Sequence, residues 1–186
     1  WAHTEKRAVL RFAPNTGAFV LRPSPEFSPK TLDGVKGFGL SAMTLEAWIR
    51  PAPSTEAGAI LGYYYSPVLY LQPAGKEKFS LNLMATPSKG RRVVATSPAL
   101  IPANEWTHVA ATLMTNGSIR LYVNGKQVLD TPFEGMLSSS ANHHYISLGV
   151  MGKFYGYPYH GDMANLRWWA RAATDEEIAA AVAQRP

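Results

Sequence analysis

The chain has 186 residues, 46% of them hydrophobic, enough for one domain with a substantial core. It contains no cysteine, which excludes disulfides and thiolate metal sites. Lysine and arginine number 18 against 13 acidic residues, but the basic residues are scattered; the densest segment, Lys89-Gly90-Arg91-Arg92, is a short turn and not a nucleic-acid motif.

Taken in chain order, Val9–Phe12 and residues 18–22 read as short strands around the turn Pro14-Asn15-Thr16-Gly17. Residues 24–39, rich in turn formers, read as a loop. Met43-Thr-Leu45-Glu-Ala47-Trp-Ile49-Arg50 is a strand closed by Pro51, and residues 59–65, 68–71, 78–84 and 91–96 follow as strands between Pro- and Gly-bearing turns. Two Asn-Gly pairs, Asn116-Gly117 and Asn124-Gly125, then lie between runs rich in Val, Leu, Ile and Thr. An Asn-Gly pair tolerates positive φ at both central turn positions and matches the twist of the flanking strands, so this stretch predicts a three-strand antiparallel meander. Within it Ile119, Leu121 and Val123 alternate with Arg120 and Tyr122, which predicts one buried and one wetter face.

A polar loop over 138–144 and strands over 145–150 and 162–169 complete the β pattern. Thr174-Asp-Glu-Glu177 is a capping box, with three acidic residues at the positive helix end, and predicts one helix to about Gln184. About a dozen strands with no long helix between them indicate an all-β, two-sheet antiparallel sandwich. No apolar run reaches the ~18 residues of a membrane span, so no membrane insertion is expected. The polar start does not read as a signal peptide, and a chain beginning at Trp1 is expected to be a single domain, 1–186, excised from a larger protein.

Five segments, in this order and spacing, resemble the laminin-G-like jelly rolls of the concanavalin A-like lectin/glucanase superfamily. They are Leu10-Arg-Phe12 with Phe19-Val-Leu21; Met43 to Pro51; Trp106-Thr-His-Val-Ala110 with Leu121-Tyr-Val-Asn-Gly-Lys126; Gly161-Asp-Met-Ala-Asn-Leu-Arg167; and the helix start Thr174–Ile178. The resemblance implies a jelly roll of about 14 strands. It also implies binding to carbohydrate or protein partners, on secreted or cell-surface proteins, and includes modules that only pack against a neighbouring catalytic domain.

Catalytic members of that superfamily set two carboxylates on one strand face, about 5–5.5 Å apart for a retaining reaction. Here Glu46, Glu105, Glu134 and Asp162 each stand alone on their strands, while Asp175 and Glu177 already serve the helix start. Glycoside hydrolysis is therefore disfavoured, and no catalytic residue is assigned. His108, with no Ser or carboxylate paired to it locally, reads as a half-buried histidine bonded within the sheet. Family members also hold a structural calcium through an Asp at the position occupied here by Ala164, which offers no side-chain oxygen. No cofactor is expected, and structural calcium is disfavoured.

The aromatic distribution gives the positive signal. Tyr155, Tyr157 and Tyr159 lie among Gly152, Gly156, Pro158 and Gly161, in an irregular loop, with His143, His144 and His160 as neighbouring candidates. Rings stack on the apolar faces of sugars while imidazoles supply hydrogen bonds, so these six are the candidate ligand-binding residues. The favoured reading is a non-catalytic module that recognises carbohydrate or a glycosylated protein. A structural domain packing against a neighbour remains the alternative, with a glycoside hydrolase third.

Overall fold

The computed structural model describes residues 9–12, 19–21, 41–63, 66–87, 90–136, 146–151 and 156–186. Among them, twelve strands form two six-stranded antiparallel sheets. The first runs in the order β1 (Val9–Phe12), β12 (Gly161–Trp169), β3 (Ala42–Pro51), β8 (Thr107–Met114), β9 (Gly117–Val123), β10 (Lys126–Phe133). The second runs β2 (Phe19–Leu21), β11 (Ile146–Leu148), β4 (Gly58–Tyr63), β5 (Val68–Pro73), β6 (Lys78–Ala85), β7 (Val93–Pro102). One helix, α1 (Asp175–Ala181), follows β12 and ends in a 3-10 turn, Val182–Gln184. This is the jelly-roll sandwich read from the sequence. No helix among the described residues is long and apolar enough to cross a membrane.

Alternation explains the core. Met43, Leu45, Ala47 and Ile49 of β3 point inward and meet Leu69, Leu71, Leu81 and Leu83 of the facing sheet in one apolar cluster. Burying each such side chain contributes about 1.5–3 kcal/mol. Leu45, fully buried, is a position where truncation to Ala should cost about 2–5 kcal/mol through lost transfer energy and a residual cavity.

The outer face of the first sheet is not the wet surface that the alternation of β9 predicts. Tyr122 is fully buried, because α1 lies over it and forms a second cluster with Ala110, Ala173 and Ile178. The Tyr122 hydroxyl donates to Asp175 Oδ1 at 2.9 Å. Thr44 fixes the connector to the helix: its hydroxyl donates to Arg171 O at 2.7 Å and accepts from Ala173 N at 2.8 Å. The capping box forms as predicted, with Thr174 Oγ1 accepting from Glu177 N and Glu177 Oε2 accepting from Thr174 N.

Two further differences have local causes. The second Asn-Gly pair has positive φ at both residues, Asn124 (49°) and Gly125 (76°), whereas in the first only Asn116 does (51°), and Gly117 already begins β9. The strand predicted over 91–96 continues as β7 to Pro102, past Pro98. It can do so because β7 is an edge strand and Ser97–Ala99 bulge out of register with β6, with Ser97 Oγ accepting from Ala99 N at 3.0 Å. β4 is described to Tyr63; residues 64–65, into which the strand was expected to run, lie outside the described residues, as does the 138–144 loop.

Candidate functional site

The register of three neighbouring strands places Arg11, Asp162 and Arg50 side by side. Arg11 of β1 pairs with Asp162 of β12, which pairs with Arg50 of β3. Because Phe12, Met163 and Ile49 point into the core, alternation turns all three outward at one end of the first sheet. Arg11 Nε donates to Asp162 Oδ1 at 2.9 Å, and Arg50 donates to Oδ2 through Nε at 3.0 Å and also through Nη2. The Asp162 side chain is 8% exposed, against 39% for Arg50 and 75% for Arg11. Burial opposes ionisation of Asp162, yet the hydrogen bonds and charges of the two guanidiniums outweigh it and hold the carboxyl below its ordinary value.

This trio borders a cleft of about 720 Å³, walled by residues 52–56, Lys76, Asn104, His160 and Gly161. Its walls are tied by backbone bonds. Ala52 N donates to His160 O at 2.9 Å, Ser54 N to Lys76 O at 3.0 Å, and Asn104 N to Pro51 O at 2.7 Å. Gly161 (φ 132°) lets β12 approach β3 there, since a Cβ would lie 2.3 Å from Arg50 O. Beside the cleft the Arg50 guanidinium sits over the Trp106 ring, 5.2 Å from its centroid, a cation–π contact that further fixes its plane. Trp106 itself is half-buried.

The predicted ligand residues separate. His160 lines the cleft, and its Nδ1 is buried with no hydrogen-bond partner among the described residues. Tyr159 was expected in the recognition loop but lies in the core, 3% exposed, packed edge-on against Phe12 with its hydroxyl donating to Asp162 O. Burial raises that phenol well above its ordinary value, and the ring is not available to stack on a ligand. Tyr157 points a third way: 41% exposed, it stacks on Tyr70 of β5, whose neighbours in the strand, Leu69 and Leu71, face the core. Tyr155, His143 and His144 lie outside the described residues.

The sequence reading missed Arg11, Arg50 and Lys76 as site residues, because each looked like an ordinary exposed charge. The available signal was the placement of Arg11 and Arg50 on outward positions of the two strands that flank the strand of Asp162.

A second polar group lies further along β3, with Glu46 and His108 closed to solvent and Arg167 partly exposed. Glu46 Oε1 accepts from Arg167 Nη1 at 2.7 Å and sits 3.3 Å from His108 Nε2, with both side chains buried. No hydrogen bond forms across that distance, and the ring also packs edge-on with Trp48, 5.5 Å between centroids. His108 is thus fully buried, not half-buried, and its ring nitrogens make no bond within the sheet. Among the described residues, no three His, Asp or Glu side chains gather where they could hold a metal ion. At the calcium position of the resemblance, Ala164 is buried opposite Trp48, and both oxygens of Asp162 on the same face are already engaged by arginines.

Similarity to known proteins agrees with this architecture. No curated protein sequence matches the chain. Among solved structures, the CBM40 of the Ruminococcus gnavus IT-sialidase bound to α2,3-sialyllactose superposes with a TM-score of 0.67 at 14% identity, covering 94% of this chain and 98% of that one. Domain 4 of an extracellular arabinanase from Geobacillus stearothermophilus, in complex with arabinotriose, gives 0.57 at 21% identity over 75% and 66%. A heptameric SAP-like pentraxin from Limulus polyphemus gives 0.62 at 16% identity over 77% and 70%. Residues 28–179 match the Laminin_G_3 family, and the chain therefore belongs to the concanavalin A-like lectin/glucanases superfamily.

Proposed function

We propose that this chain is a non-catalytic carbohydrate-binding module of a larger secreted or surface protein, and that its ligand lies in the cleft beside Arg50. The observation that carries this reading is the cleft itself: about 720 Å³, within the size range of small-molecule sites, with convergent polar groups on walls tied by backbone bonds. Carbohydrate bound to two of the similar structures supports the ligand class. A non-catalytic role fits the chemistry of Asp162, whose oxygens both accept from arginines and whose depressed pKa is wrong for a general acid at neutral pH. No calcium is assigned to the site, because Ala164 and the occupied oxygens of Asp162 leave the family's carboxylate position without a ligand.

A glycan array, followed by calorimetry on the hits, tests the reading. Binding that weakens in Trp106→Ala and Lys76→Gln, with no release of reducing sugar, is the expected result; a silent array would overturn it. Val94 and Leu100, 46% and 49% exposed on the edge strand β7, favour the second reading, in which this side packs against a neighbouring domain and the module has no ligand of its own. The same array separates the two.

A further inference from the structure

We infer that the cleft selects sugars bearing a carboxylate, and that Arg11 and Arg50, held in place by Asp162, form the receptor for that group. The inference rests on the carbohydrate-binding reading above and adds the charge of the ligand. Two guanidiniums share one carboxylate: Oδ1 of Asp162 takes only Nε of Arg11, and Oδ2 takes Nε and Nη2 of Arg50. One positive charge of the pair is therefore not compensated by Asp162, and the two terminal nitrogens of Arg11 make no bond to it. Lys76 adds a third cation to the lining, against the single further carboxylate of Glu56.

Geometry favours a planar anion over a point charge. A guanidinium presents N–H groups in a fixed fork that matches the two oxygens of a carboxylate. A long arginine side chain ordinarily loses rotamer freedom on binding, but Asp162 has already fixed Arg11 through Nε, and Trp106 fixes the plane of Arg50. The two guanidiniums hold the Asp162 carboxyl below its ordinary value, so it is ionised and keeps both arginines aligned at neutral pH. His160 also lines the cleft, beside Gly161 and Asp162.

The test compares sugars that differ in the acid alone, by calorimetry: trigalacturonate against its methyl ester, and 3′-sialyllactose against lactose. In at least one pair the acidic member should bind about tenfold or more tightly, the scale of one hydrogen-bonded charge pair. Arg11→Gln should erase that preference. Arg11→Lys, which keeps the charge and loses the fork, should restore only part of it. Arg11 is largely exposed, and an unchanged thermal midpoint in both variants would show that folding is intact. Equal binding of acidic and neutral members would overturn the inference and leave the carbohydrate reading standing. So would retention of the acid preference in Arg11→Gln, or binding of a sulfated, carboxylate-free carrageenan tetrasaccharide in place of both carboxylated sugars. Absence of binding across a broad array of neutral and acidic glycans would overturn the carbohydrate reading itself.

Discussion

Gly125 and Val182 meet where the β9–β10 turn supports the terminal helix: a Cβ built on Gly125 would lie 2.7 Å from Val182 Cγ2 and 3.2 Å from Ala179 Cα. The turn residue is therefore constrained twice, by its φ of 76° and by the helix pressed on it. Gly125→Val should destabilise the domain by at least the ~1–3 kcal/mol of a strained φ, because the helix must also shift. The denaturant midpoint measures this; an unchanged midpoint would mean that neither constraint holds in solution.

The helix start should respond to acid through Glu177. Hydrogen bonds from Arg171, at 2.6 and 2.7 Å, and from the Thr174 amide lower its carboxyl from 4.5 to about 2. A depressed folded-state pKa gives a stabilisation that is complete above 4.5 and withdrawn as pH falls toward about 2. The gap in Tm between wild type and Glu177→Gln should accordingly be widest above pH 4.5 and close at the acid end. A gap independent of pH would show that the charge plays no part.

Chelation should leave the thermal midpoint unchanged. Ala164 provides no oxygen, and the nearest carboxylate on its face, Asp162, is already satisfied by two arginines. A fall of several degrees with a calcium chelator, reversed by added calcium, would place an ion on other groups.

Tyr157→Ala should leave affinity for a cleft ligand within about twofold, since its ring stacks on Tyr70 away from the cleft. The sequence alone predicts the opposite, a stacking contact. Calorimetry with any glycan found for the cleft decides between them, and a loss of tenfold would return the aromatic loop to the binding surface.

The architecture was readable because it rests on local rules. Alternation along Met43–Pro51, the Asn124-Gly125 turn and the Thr174 capping box each act within a few residues, and all three are in place. The site was less readable because it depends on register between strands far apart in sequence. Nothing near Arg11 in the chain announces that it will lie beside Asp162, 151 residues away, or that Arg50 will reach the same carboxylate from the other side. The loop 156–161 misled for a related reason. Its composition marks a recognition loop, but the positive φ of Tyr157 (53°) breaks the extended alternation, and Tyr157 turns outward while Tyr159 enters the core and His160 lines the cleft. Tyr122 was misjudged because a helix more than fifty residues later covers it.

Pro98 has a consequence beyond the shape of β7. A ten-residue strand at the rim of a sheet, carrying exposed Val94 and Leu100, would ordinarily offer a continuous row of unpaired amides to a second copy of the chain. Proline deletes one donor in the middle of that row, and the bulge at Ser97–Ala99 breaks its spacing on either side. An incoming strand could align with one half or the other but not with both. The rim can thus stay long enough to close the core over Phe79 and Leu83 without becoming a template for edge-to-edge aggregation.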